Sequence, residues 1–132
     1  MAFDMHRKLD ELGAEPLNAR KNLAAMVKAI GKRYYLPADY VAFLENWPAL
    51  RVSARIGSGR AALPLDRLYG GSTGAYSLPK NCDSTQHPNL LAIGGDLGGN
   101  RFVLWSRGKN RGAVGFWDHE TAAGVIARYA SW

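Results

Sequence analysis

LLAIGGDLGGNRFVLWSRGKNRGAVGFWDHE, residues 90–120, holds three short apolar runs at 90–93, 102–104 and 114–116. Gly-rich turns separate them at 94–100 and 108–112. Over 101–106 the side chains alternate, with Phe102 and Leu104 on one face and Arg101, Val103 and Trp105 on the other. Over 112–118 Val114 and Phe116 alternate in the same way with Ala113, Gly115 and Trp117. Alternation bounded by turn residues predicts a half-buried antiparallel meander. The rest of the chain is expected to pack on its apolar face.

Upstream, Met5, Leu9 and Leu12 give a short first helix its apolar stripe, and Gly13 ends it. After Glu15-Pro16, the spacing of Leu23, Met26, Val27 and Ile30 predicts a second helix stopping at Gly31. Pro37 opens a third helix, along which Tyr40, Phe43, Leu44 and Trp47 share one side, and Pro48 closes it. Residues 50–56 alternate as a strand, with Arg51 and Arg55 on the outer face. Gly57-Ser58-Gly59 turns the chain back through a return strand at 60–65. A helical turn is expected at 65–69, inside an otherwise irregular loop at 66–89. Ala122, Val125, Ile126 and Tyr129 have helical spacing, so a closing helix is expected, with Asp118 as its N-cap. The pattern describes one α+β domain over 1–132, a mainly antiparallel sheet packed with N-terminal helices and a C-terminal helix.

Two stretches also carry a resemblance. Leu36-Pro37-Ala38-Asp39-Tyr40-Val41-Ala42-Phe43-Leu44 is similar to the Leu-Pro-x-x-Tyr-x-x-Phe-Leu helix of the SUKH superfamily. Ile93-Gly94-Gly95-Asp96, Gly98-Gly99-Asn100 and the Gly-x-Val-x-Phe-Trp-Asp-His-Glu run at 112–120 resemble its sheet. The matching pieces span about residues 34–128. This helix ends in Asn46-Trp47-Pro48, where many relatives have Asn-Gly-Gly. The resemblance implies a SUKH-like fold. For a bacterial member it implies a cytoplasmic immunity protein that binds and neutralises a cognate toxin by protein–protein interaction.

The chemistry in the sequence agrees with a binding role. Asp118-His119-Glu120 offers metal-ligand types, but no His-x3-His, Glu-x-x-His or Cys-x-x-Cys spacing accompanies it, so no metal is expected. Residues 96–100, DLGGN, lack the alternating oxygen ligands and closing glutamate of a calcium loop. Gly94-Gly95 precedes a strand and lacks the Gly-Lys-Ser/Thr of a phosphate loop. Cys82 and His87 share one loop with no orienting acid specified. The chain is expected not to be an enzyme and to need no cofactor.

Its 132 residues are 47% apolar and 21% charged, as in globular domains. No apolar run reaches the roughly 18–20 residues of a membrane span. The N-terminus has no apolar signal core, which makes a cytoplasmic address the expectation. A net charge of +6 favours anionic partners, so a nucleic-acid-binding module is the alternative reading. A +6 immunity protein either has a local acidic patch, for which Asp96, Asp118 and Glu120 are the candidates, or faces a toxin that is not a basic nuclease, and the second is the preferred expectation. The residues expected to meet a partner are Arg51, Arg55, Asp96, Arg101, Trp105, Arg107 and Trp117.

Overall fold

A computed structural model describes residues 11, 13–56, 63–120 and 125–129, with 55, 56, 63 and 125–129 described by backbone alone. Seven strands form one antiparallel sheet in simple chain order. They are β1 (Glu15–Pro16), β2 (Leu50–Ile56), β3 (Leu63–Leu68), β4 (Leu90–Gly95), β5 (Arg101–Trp105), β6 (Val114–Trp117) and β7 (Val125–Tyr129). Helices α1 (Leu23–Gly31) and α2 (Ala38–Asn46) lie between β1 and β2, and the short α3 (Leu78–Asn81) lies between β3 and β4. The α+β arrangement with a mainly antiparallel sheet is therefore present, and the three-run meander is β4–β6.

The spacings of the second and third expected helices do what they predict. Met26, Val27 and Ile30 of α1 and Tyr40, Phe43 and Leu44 of α2 are buried. They join one core with Leu50, Leu68, Leu91, Phe102, Leu104, Val114 and Phe116 of the sheet. Phe102 and Phe116 are register partners, and their rings meet edge to face at 5.2 Å. Edge-on contact brings the positive rim of one ring to the negative face of the other, worth about 0.5–1.5 kcal/mol beyond burial. Pro16 is tolerated in β1 because that strand is the sheet edge, where one side needs no ladder donor.

Several expectations are corrected. The closing helix is a strand: β7 pairs with β6 through Tyr129–Val114, Arg128–Gly115, Ala127–Phe116 and Val125–Trp117. Val125 and Ile126 are β-branched and suit a ladder, and the pairing closes an edge that β6 would otherwise leave open. Asp118 caps a turn instead of a helix, its Oδ1 accepting the Glu120 N–H at 2.9 Å. The helical turn expected at 65–69 is the second half of β3, where Leu65 and Leu68 are both in the core. A register shift between Arg51 and Ala54 of β2 accompanies that placement. The return strand is thus present at 63–65 and runs on to Leu68, its expected start at 60–62 lies outside the described residues, and the irregular loop carries its helix at α3. There Ser77 caps the first turn and Pro79 stands where a missing N–H costs nothing. Finally, the meander is not half-buried throughout, since Val103 is 0% exposed on the face opposite Phe102 and Leu104. The first helix lies outside the described residues apart from Glu11 and Gly13, and the turn at 57–59 lies wholly outside them.

Candidate functional site

On the face away from α1 and α2, one register row crosses the whole sheet. It runs Glu15, Arg51, Arg67, Gly95, Arg101, Trp117, Val125, each the partner of the next. Cross-strand partners share a face, so three arginines and a tryptophan are aligned. Gly95 leaves a gap of two strand spacings, about 10 Å, between Arg67 and Arg101. A Cβ there would stand 2.9 Å from the Asn100 carbonyl and 3.2 Å from the Tyr69 hydroxyl.

Two of these arginines hold the surrounding loops. Arg67 pairs with Asp66 at 2.9 Å and lies over the Tyr76 ring at 4.9 Å. Arg101 donates to Ser84 Oγ at 3.3 Å and to the Gly99 carbonyl at 2.7 Å, with its guanidinium 6.0 Å from the Tyr69 ring. Burial pushes the Tyr69 hydroxyl pKa up, while Arg101 and Arg67 oppose the shift. Arg51, by contrast, is exposed.

At Gly95 the strands part. β3 meets β4 only through Arg67–Gly95 and Leu68–Gly94, while its first residues continue along β2. A cleft of about 940 Å³ opens between the β2–β3 pair and the turn at 96–98. Glu15, Arg51, Val52, Asp66, Asp96 and Leu97 are among its walls. Among the described residues, three carboxylates and one guanidinium line it, and one of the carboxylates, Asp66, is the partner of Arg67. Leu97 stands at the lip, 82% exposed.

The turn bearing Asp96 and Leu97 is built by its own side chains. Asp96 Oδ1 accepts the N–H groups of Gly98 (2.8 Å) and Asn100 (3.0 Å), and Oδ2 accepts Asn100 Nδ2 at 3.0 Å. Asn100 Oδ1 in turn accepts the His119 N–H at 3.3 Å and lies 2.8 Å from His119 Nδ1. Because Asn100 Nδ2 is committed to Asp96, its Oδ1 is an acceptor and His119 Nδ1 carries the proton. This chain of bonds sets the turn at 118–120 against the turn at 96–100. The three candidates for an acidic patch, Asp96, Asp118 and Glu120, therefore lie on two adjacent turns, joined through Asn100 and His119.

The residues expected to meet a partner are divided by the fold. Arg51 and Asp96 line the cleft. Arg101 and Trp117 are half-buried register partners beside it. Trp105 is half-buried at the far end of β5, and Arg107 lies beyond it. The backbone of Arg55 pairs with Pro64, and its side chain lies outside the described residues. Sequence reasoning missed Glu15, Asp66 and Leu97. Only Leu97 had a visible signal, being a large apolar residue inside a polar Gly-rich turn with no face to bury.

Other candidates resolve simply. The Cys82 thiol is buried, and burial raises its pKa, with Arg33 opposing from 3.9 Å. A thiol held protonated is a poor nucleophile. Among the described residues, no group of three or more His, Cys, Asp or Glu is placed to hold a metal ion. No helix among them is long and apolar enough to cross a membrane. The chain matches no family model, no curated protein and no solved structure.

Proposed function

We propose that this chain is an immunity protein of a bacterial polymorphic toxin system, a SUKH-like domain that neutralises a cognate toxin in the cytoplasm by binding it. The observation that carries the reading is the acidic cleft with Leu97 at its lip. An exposed leucine beside carboxylates suits a protein partner, because apolar burial supplies affinity and the surrounding charge supplies steering. The cleft also answers the objection raised by the chain's basic charge. The carboxylates of Glu15 and Asp96, with Asp66 already paired to Arg67, offer a basic toxin surface an attractive landing place. Asp118 and Glu120 extend the acidic region on the far side of Asn100. Inhibition follows from burying about 1,200–2,000 Å² over the toxin's active site or a nearby exosite. No bond in either protein is made or broken.

The test is co-expression with the toxic C-terminal domains encoded beside the gene. The wild-type chain is expected to restore growth against one of them. Leu97→Asp, or Glu15→Lys combined with Asp66→Lys, should lose that rescue while remaining folded by circular dichroism. Failure to rescue against every neighbouring candidate overturns the proposal.

A further inference from the structure

At the other end of β5 the surface has the opposite character. The β5–β6 turn carries Arg107, Lys109 and Arg111, and the segment after α1 carries Lys32, Arg33 and Tyr35. Arg107 Nη2 donates to the Arg33 carbonyl at 3.4 Å, and Arg111 lies over the Tyr35 ring at 4.4 Å. Two segments more than seventy positions apart in sequence thus meet, and they carry five cations between them; Arg111 lies at Tyr35, which is 43% exposed, while the Arg33 guanidinium turns to the Tyr34 ring and Cys82. Asp83 approaches one of them, 3.6 Å from Arg33.

The patch is set on a rigid base. Tyr35 N donates to the buried Ser106 hydroxyl at 3.0 Å, tying the two segments together. Within the turn, Arg111 N bonds the Gly108 carbonyl, Gly112 N the Trp105 carbonyl and Ala113 N the Asn110 carbonyl. Gly108 and Gly112 supply the positive φ values, 82° and 91°, that this tight path requires. The two segments are therefore joined before any ligand arrives, with Arg107 and Arg111 across their junction, and a polyanion that neutralises the cations they carry releases its own counterions.

We propose that this surface binds single-stranded nucleic acid. Guanidinium groups match phosphate oxygens in pairs, and Lys32 and Lys109 add point charges beside them. An acidic protein segment would satisfy the cations alone, whereas an unpaired base also has the exposed part of the Tyr35 ring, beside Arg111, to stack on. An unpaired base stacks on such a ring, and Arg111 already stacks on it in the same manner. Base pairing would hide that stacking face, so the strand must be single. The surface is separate from the acidic cleft, and neither depends on the other.

Fluorescence anisotropy with labelled oligo-dT, oligo-U and a DNA duplex, at about 50 and about 200 mM salt, tests the proposal. Engagement of three phosphates predicts a log–log salt slope of about −2, hence about a 20-fold loss of affinity across that range. Binding of either single strand supports the proposal. Arg107→Ala with Arg111→Ala should reduce the slope to about −1. Tyr35→Ala should weaken single strands about tenfold and leave the duplex unchanged. Arg51→Ala, at the cleft, should change nothing. No binding at the lower salt, or binding indifferent to the Arg107/Arg111 pair, overturns the inference. So does duplex bound as tightly as single strand. Polyglutamate that competes as well as oligo-dT, with Tyr35→Ala without effect, overturns it in favour of an acidic protein.

Discussion

The peptide N–H of Tyr35 donates to the hydroxyl of Ser106 at 3.0 Å, across 71 positions of sequence. Ser106 is only 2% exposed, so water cannot readily take its place as acceptor. Ser106→Ala leaves that N–H without its partner, which costs about 1–2 kcal/mol. In a domain of this size the expected fall in Tm is roughly 3–8 °C, measurable by calorimetry. An unchanged Tm would show that this bond does not hold the helical segment to the β5–β6 turn.

Gly94 and Gly98 lie four positions apart and should respond oppositely to a methyl group. A Cβ on Gly94 would stand 2.5 Å from the Arg67 carbonyl oxygen and 3.2 Å from Leu65 Cδ1. A backbone atom in a paired strand cannot step aside, so Gly94→Ala should cost about 2 kcal/mol or more. At Gly98 the nearest atom would be Asp96 Oδ1 at 3.5 Å, an ordinary contact, and Gly98→Ala should stay within about 0.5 kcal/mol of wild type. Urea midpoints at constant m-value measure both.

Alkaline pH should unfold the domain from its core. Burial raises the pKa values of Tyr34, Tyr40 and Tyr69 above their ordinary 10.0, and that of Cys82 above 9.0. Each group holds its proton more tightly when folded, so this contribution is intact below pH 9. Stability is then lost as pH rises through the ordinary values towards the raised ones. Each group adds a slope of about 1.4 kcal/mol per pH unit across its own window. Denaturant midpoints should be level between neutrality and pH 9 and fall above it. Tyr40→Phe should make the fall shallower, and an equal slope in that variant would contradict the assignment.

How much of this was readable in the chain differs by element. Both long helices were legible because Met26, Val27 and Ile30, and Tyr40, Phe43 and Leu44, form single-sided stripes bounded by Gly31 in one case and by Pro37 and Pro48 in the other. The meander was legible because its strands alternate between glycine turns. β7 was not, because four apolar residues at helical spacing also fit a short strand, and the open edge of β6 decides between them only in three dimensions. The cleft was half legible. Asp96 and Arg51 stood out as charged residues beside strand ends, but their meeting depends on β3 separating from β4 after Gly95. Nothing local in the sequence announces that separation. Ser106 was silent for the same reason, since its partner is the Tyr35 backbone and no side-chain pattern marks it.

Asp96 has two duties that substitution can separate. Its Oδ1 accepts two backbone N–H groups, from Gly98 and Asn100, and its negative charge faces the cleft. Asp96→Asn keeps an oxygen where Oδ1 stands and removes the charge, giving up only the bond from Asn100 Nδ2. Asp96→Ala removes the turn and the charge together. Loss of side-chain bonds to backbone donors at such a turn costs about 0.5–2 kcal/mol, so Asp96→Ala should lower Tm by several degrees and Asp96→Asn by less than half as much. The Asn100–His119 link gives an independent readout of the turn. Asn100 Nδ2 loses its acceptor in both variants, so the His119 ring resonances should shift in both, whereas the Gly98 amide should lose its hydrogen-exchange protection only in Asp96→Ala. If Asp96→Asn proves as destabilising as Asp96→Ala, the carboxylate's charge, and not its geometry, holds the turn. Leu97 would then stand at the cleft's lip through electrostatics that salt can weaken.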